Sequence, residues 1–224
     1  MKDILTKNGL KIGKIDESNK SIIVNHNHGF FSCCSVRLDC IVQYINNYKS
    51  LPKYIDSSNS YGLYKHNKEK DVTFEFFEEY NGSLDVDFNF IDYNENYQYI
   101  DYKFLDHNHL NNLVTKYFNP TQSIKKLIKT FENKYNIEYK NTCVLFLRGN
   151  DKSTETSIPE FKKYEEYARK ILEEEPDTTF LIQSDNSEFL NYFSNLFDKS
   201  VIFWDEIRHL NDKNKTVDRI DFST

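Results

Sequence analysis

No apolar run in this chain reaches the length of a membrane span. The N-terminus, MKDILTKNGLKIG, turns polar too soon to hold the apolar core of a signal peptide. A protein without a transmembrane segment, located in the cytoplasm, is the expectation. A basic stripe is missing as well. The net charge is −6 and the lysines and arginines are scattered among acids, whereas nucleic-acid binders gather cations to neutralise phosphates. Nucleic acid is therefore not an expected partner. Of the four cysteines, Cys33, Cys34 and Cys40 sit together and Cys143 apart. None makes a C-x-x-C pair and no histidine group has zinc-finger spacing, so they read as reduced thiols. There is no internal repeat and no G-x-S-x-G nucleophile elbow. Glycine is rare, with six in 224 residues.

What the chain does have is aromatic volume. The apolar fraction is only 38%, but aromatics reach 16%, and Tyr and Phe bury large areas. At this length one large domain or two small ones can each enclose a core.

Residues 21–25 (SIIVN) read as a buried strand, followed by a polar loop at 26–29. From 33 to 48, Val36, Cys40, Ile41, Tyr44 and Ile45 recur at helical spacing, and Ser50-Leu51-Pro52 stops that helix. Residues 53–56 give a second strand. Strand, loop, helix, strand is a βαβ unit, which demands parallel pairing and a right-handed crossover. Residues 72–80, 84–91 and 97–104 mix aromatics with acids and amides, around an Asn81-Gly82 turn and the connector Asn94-Glu95-Asn96. Strands and irregular insertions both fit them. Residues 107–118 look helical. After Asn119-Pro120, residues 121–135 place Ile124, Leu127, Ile128 and Phe131 on one helix face. The apolar run 143–147 (CVLFL) predicts a strand covered on both faces. A helix over 159–175 follows, with Phe161, Tyr164, Tyr167, Ala168 and Ile171 inward. A strand at 178–182, a helix at 187–197 and a strand at 200–203 complete a Rossmann-like βαβαβ half. The expected division is 1–118 and 119–224.

In open parallel sheets ligands bind outside the carboxyl ends of the strands. The polar exits here are 26–32, 148–156 and 183–186. Arg148 directly follows an apolar strand. Its planar five-donor fork suits a diphosphate and keeps its charge at any working pH. Gly149 lets the backbone pass close to a ligand. A salt bridge from Arg148 to Asp151 or Asp185, or a plain solvated strand end, would explain the same residue structurally. His26 and His28 suit acceptor binding or general-base work, since imidazole titrates near neutrality. They equally suit a hydrogen-bonded surface loop. Ser32, Arg37 and Asp39 read either as cleft residues or as helix caps and surface charges. Cys33 and Cys34 would be reactive thiols at a helix N-terminus.

The segment Phe146-Leu147-Arg148-Gly149-Asn150-Asp151-Lys152 resembles the H-x-R-R-x-D-K segment of the α1,6-fucosyltransferases and bacterial nodulation fucosyltransferases, relatives of the protein O-fucosyltransferases. Thr154-Glu155 is similar to that family's threonine-glutamate pair before a helix. Residues 180–185 (FLIQSD) are similar to its strand ending in a threonine or serine and an aspartate. The likeness covers residues 141–204. Phe146 stands where the family has a histidine associated with the guanine nucleotide, and Gly149 replaces the second arginine.

The resemblance implies an α/β, GT-B-like fold with two Rossmann-like parallel-sheet halves facing a cleft. It implies transfer of a sugar, fucose from GDP-fucose first, from a nucleoside diphosphate to a glycan acceptor, inverting, with no metal and no cofactor. Arg148 would contact the donor phosphates, with Gly149, Asn150, Asp151, Lys152, Ser184 and Asp185 around it. His26, Asn27, His28, Gly29 and Phe30 would line the acceptor side. Arg148, His28 and Glu155 form the expected catalytic set, with His26 a further candidate base. Family members continue to another strand and a serine-containing loop, so the C-terminal half is expected to be incomplete. A non-catalytic nucleotide-sugar or glycan-binding module that keeps Arg148 is the alternative. Asp85-Val86-Asp87 has the lettering of a metal-binding pair but alternates within an expected strand, and reads as coincidence.

Overall fold

The structure, a computed structural model, describes residues 1–80, 91, 93, 107–149, 152 and 156–203. The expected segments 84–90 and 97–104, together with Asp85, Asp87, Asn150, Asp151, Thr154 and Glu155, lie outside the described residues. The chain forms two compact units, Met1–Lys125 and a second from Lys126 onward.

The first unit is a four-stranded sheet in the order β1 (Lys2–Leu5), β2 (Lys11–Asp16), β3 (Ser21–Val24), β4 (Tyr54–Asp56). The first three strands pair antiparallel and β3 pairs parallel with β4. Between these last two runs α1 (Phe30–Tyr48), so the predicted βαβ unit is present. One face of the sheet buries Ile4, Ile12, Ile15, Ile22, Val24 and Ile55 against Val36, Cys40, Ile41, Tyr44 and Ile45 of α1. The other face carries Asp3, Lys14, Ile23 and Asp56 in one cross-strand row. Directly opposed residues share a face, so this side is mostly polar, with Asp3 exposed and Lys14, Ile23 and Asp56 half-buried.

This sheet corrects the expected all-parallel N-terminal half: it is mixed, with one parallel pair. β1 and β2 precede the strand that the apolar run announced. Their signal is weak: only Ile4 and Ile15 are inward against Asp3 and Lys14 in regular alternation, and Ile12, also buried, sits beside a register shift that breaks the period of two. Helix α1 also starts three residues before the expected position 33. Its first turn holds Phe31, which is 83% exposed, so the apolar periodicity becomes regular only at Cys33. A short helix α2 (Thr73–Phe76) and the bridge between Phe77 and Pro120 follow β4. Helix α3 (His107–Tyr117), as predicted, sends Leu110, Leu113 and Tyr117 into the first core.

Helix α4 (Gln122–Lys134) stands where periodicity placed it. Its apolar stripe is not buried, however. Leu127 and Ile128 are exposed, and Phe131 is half-buried with its ring 5.5 Å from that of Phe203.

The second unit holds a parallel sheet, β5 (Thr142–Leu147), β6 (Thr179–Ser184) and β7 (Ser200–Ile202), in that order. The crossovers are α5 (Phe161–Glu174) and α6 (Ser187–Phe193). Leu145, Leu147, Phe180 and Ile182 pack against Ala168, Phe189, Leu190 and Phe193. Phe161, Tyr164 and Ile171 join this cluster as expected, while Tyr167 is exposed. The expectation that β5 is covered on both faces is corrected. Val144 is 51% and Phe146 50% exposed, and Val144 shares a row with half-buried Leu181 and Val201. Both helical crossovers of a strand order that advances in one direction fall on the same side. The mixed α/β class is therefore as read from sequence, with one parallel and one mixed sheet.

Candidate functional site

At the carboxyl end of β5 the chain passes from buried Leu147 to half-buried Arg148 and Gly149. The Asp185 carboxylate, at the exit of β6, accepts the Gly149 backbone N–H through Oδ1 at 2.7 Å. One step earlier, the Ser184 hydroxyl donates to the Leu147 carbonyl at 2.8 Å and accepts the Asn186 N–H at 2.9 Å. Asn186 in turn caps α6, its side-chain oxygen accepting the N–H groups of Glu188 and Phe189. The exits of two neighbouring parallel strands are thus stitched together by side-chain to backbone bonds. A Cβ on Gly149 would stand 3.3 Å from the Asn186 side chain, so a larger residue would crowd this seam.

These contacts sort the sequence-derived donor residues. Ser184 is fully buried and its hydroxyl is occupied by two backbone groups, so its part is to hold the rim together. Asp185 fixes the path of the chain after Arg148. Lys152 is half-buried. Two cavities, of about 310 Å³ beside Lys14, Ile23 and Asn25 and about 250 Å³ beside Thr142, Cys143 and Thr178, do not take in Arg148.

The exit of β3 is the second polar cluster. His26 Nε2 lies 2.8 Å from Ser32 Oγ on the first turn of α1. The rings of His26 and His28 are 4.7 Å apart, tilted by 44°. Asn27 Oδ1 accepts the Gly62 N–H at 2.6 Å, at the start of a single 3-10 turn, Gly62–Tyr64. Gly29 is the N-cap of α1, and no side chain caps that end. Phe30 does not line an open surface. Its N–H donates to the Tyr64 hydroxyl at 3.0 Å, and its ring packs among Tyr61, Tyr64 and Phe76 at 5.4, 5.5 and 4.9 Å.

The thiols near this helix end are not activated. Cys33 is buried, and burial pushes its thiol upward. Burial likewise drives Cys34 up to about 11, against the lowering contact with the Tyr61 hydroxyl. Desolvation of a would-be thiolate outweighs what a helix N-terminus offers.

Of the two readings open for Arg37 and Asp39, the surface charge is removed, because both are fully buried. Arg37 donates through Nη1 to the Ser57 hydroxyl at the exit of β4. The Ser57 N–H donates to Asp71 Oδ2 at 2.7 Å, and Asp71 Oδ1 accepts the Thr73 N–H at 2.9 Å. Lys65, also buried, donates to the carbonyls of Ser58 and of Lys70. This network ties the loop after β4 to α1. Its sequence signal was available: Arg37 stands four and seven residues before Ile41 and Tyr44, on the apolar face of α1.

No described helix is long and apolar enough to cross a membrane. Comparison of the chain with protein-family models, with curated proteins and with solved structures returns no match. The two clusters differ in chemistry. A guanidinium at the mouth of a parallel strand is suited to anions, whereas an imidazole bonded to a hydroxyl is suited to proton transfer.

Proposed function

We propose that this chain transfers a sugar, fucose from GDP-fucose being the first candidate, from a nucleoside diphosphate to a glycan hydroxyl, in a GT-B-like arrangement, inverting and without a metal. The reading rests on Arg148 and its seating. A fixed cation at a strand mouth is suited to the negative charge that develops on phosphate oxygen as the glycosidic bond breaks. Donors of this kind must be held in place before charge builds, and the bond from Gly149 N–H to Asp185 supports a fixed loop at that point. The likeness of residues 146–152 to the fucosyltransferase segment gives the donor class.

Thermal shift against GDP-, UDP- and dTDP-linked sugars tests the reading, because a ligand that binds only the folded state raises the melting temperature. A shift with one donor, lost in Arg148→Ala, is expected. An Arg148→Ala variant that binds the donor as the native protein does would rule the site out.

A further inference from the structure

Arg37 lies fully buried on the apolar face of α1, and no described ion pair includes it. Its Nη1 is spent on the Ser57 hydroxyl, but Nε and Nη2 have no hydrogen-bond partner among the described residues. Those two nitrogens form one edge of the guanidinium, with their N–H groups side by side, the fork by which arginine grips anions. Asp71, the acid of this network, is already used, since its two oxygens accept the N–H groups of Ser57 and Thr73.

The surroundings bring hydroxyls rather than carboxylates. Tyr117, on α3, is part of the first core, and its hydroxyl is also without a partner. Its ring lies 4.7 Å from that of Tyr80. Burial raises both phenols above their ordinary range, while the Arg37 charge acts on each in the lowering direction, through a side-chain contact in the case of Tyr80. Both therefore keep their protons at neutral pH, and neither brings negative charge. A guanidinium cannot shed its proton to escape burial, so a buried one without a partner charge is strongly unfavourable. An orphaned buried donor of this kind calls for an ion or a water to accept from it.

We infer that the Nε and Nη2 edge of Arg37, with the Tyr117 hydroxyl, holds a halide-sized anion inside the first unit. The site stands within that unit alone and does not depend on the transferase reading. Arg37 and Tyr117 are both closed to solvent, and neither of the two cavities given above takes them in, which suits a single halide and not a nucleotide or a phosphate ester. Because Arg37 is also bonded to Ser57, the anion clamps the loop after β4 onto α1 and α3.

The test is thermal melting of the full chain in sodium bromide and in sodium gluconate, an anion too bulky for the site, at matched ionic strength. A ligand bound only by the folded state raises the melting temperature, so bromide is expected to add about 3–8 °C for each tenfold rise above its Kd. Tyr117→Phe separates a ligand from a packing effect. In gluconate it should melt no lower than the native chain, because the hydroxyl it loses has no partner; in bromide it should lose at least about half of the native gain. Arg37→Met should show no bromide response. Where that variant does not fold, a crystal of the native chain grown in bromide answers the same question, with an anomalous peak expected beside Nε and Nη2. Equal melts in the two salts, a Tyr117→Phe variant that keeps the full gain, or water in place of bromide at the guanidinium edge overturns the site.

Discussion

Asp185 reaches from the end of β6 to hold the backbone N–H of Gly149 at 2.7 Å, so the residue after Arg148 is fixed by the neighbouring strand rather than by its own. A carboxylate bonded to a backbone amide contributes roughly 1.5–3 kcal/mol. Asp185→Ala should lower the unfolding free energy of the second unit, read from urea denaturation, by an amount in that range. Asp185→Asn, which keeps an acceptor oxygen, should lose less than half as much. Equal midpoints for Asp185→Ala and the native chain would show that the bond has no energetic weight. Arg148→Ala, by contrast, should change stability little and weaken nucleotide-sugar binding by about 2 kcal/mol, roughly 30-fold.

Gly62 is needed for a steric reason. A Cβ there would lie 2.5 Å from the Asn27 side-chain oxygen. Gly62→Ala should destabilise the first unit by about 1–3 kcal/mol through overpacking. Removing the obstructing amide should cancel most of this, so Gly62→Ala in an Asn27→Ala background should be nearly neutral. A double-mutant cycle from chemical denaturation reads the coupling, and strictly additive losses would contradict the contact.

Leu145 and Phe146 are adjacent and face opposite sides of β5. Leu145→Ala removes a buried side chain and should cost about 2–5 kcal/mol. Phe146→Ala, at a half-exposed position, should cost less than about 1 kcal/mol. The larger side chain should thus give the smaller loss, with thermal melts of the two variants deciding.

Burial raises the Cys34 thiol from 9.0 to about 11. A group whose folded value lies above its unfolded value contributes stability that is complete below the unfolded value and is lost as pH climbs through the folded one. Stability should therefore fall between about pH 9 and pH 11, by about 2–3 kcal/mol from this thiol. Cys34→Ser should flatten that part of the curve relative to the native chain. A denaturant midpoint measured at pH 8, 9.5 and 11 for both proteins checks it.

Much of the fold was legible where one physical signal dominated. The run CVLFL gave β5, the spacing of Val36, Cys40, Ile41 and Tyr44 gave α1, and Pro120 marked the start of α4. The same reasoning misjudged surroundings. An apolar run reports that a strand prefers burial, but the number of covered faces depends on which side the crossovers take, and α5 and α6 take one. Arg37 stayed open between a cleft residue and a surface charge because its place on the helical stripe was not weighed, and burial removes the second option. The contacts of Asp185 with Gly149 and of His26 with Ser32 had no local signature. The first joins residues 36 apart, and the second becomes visible only once the first turn of α1 is known to begin at Phe30.

The scarcity of glycine has a consequence in the backbone. Left-handed conformations fall on Lys20, Lys49, Tyr61 and Asn136, with φ from 47° to 59°, and on only one described glycine, Gly9. A side chain in that region is disfavoured by on the order of 1 kcal/mol, less for asparagine. Lys49 closes α1 in this state, its N–H donating to the Ile45 carbonyl at 2.8 Å, where glycine is the preferred terminator. Lys49→Gly should accordingly raise the melting temperature by a few degrees. Lys20, Lys49 and Asn136 thus leave thermal headroom at the protein's own corners, open to single substitutions outside both polar clusters, whereas Tyr61, packed on Phe30, does not.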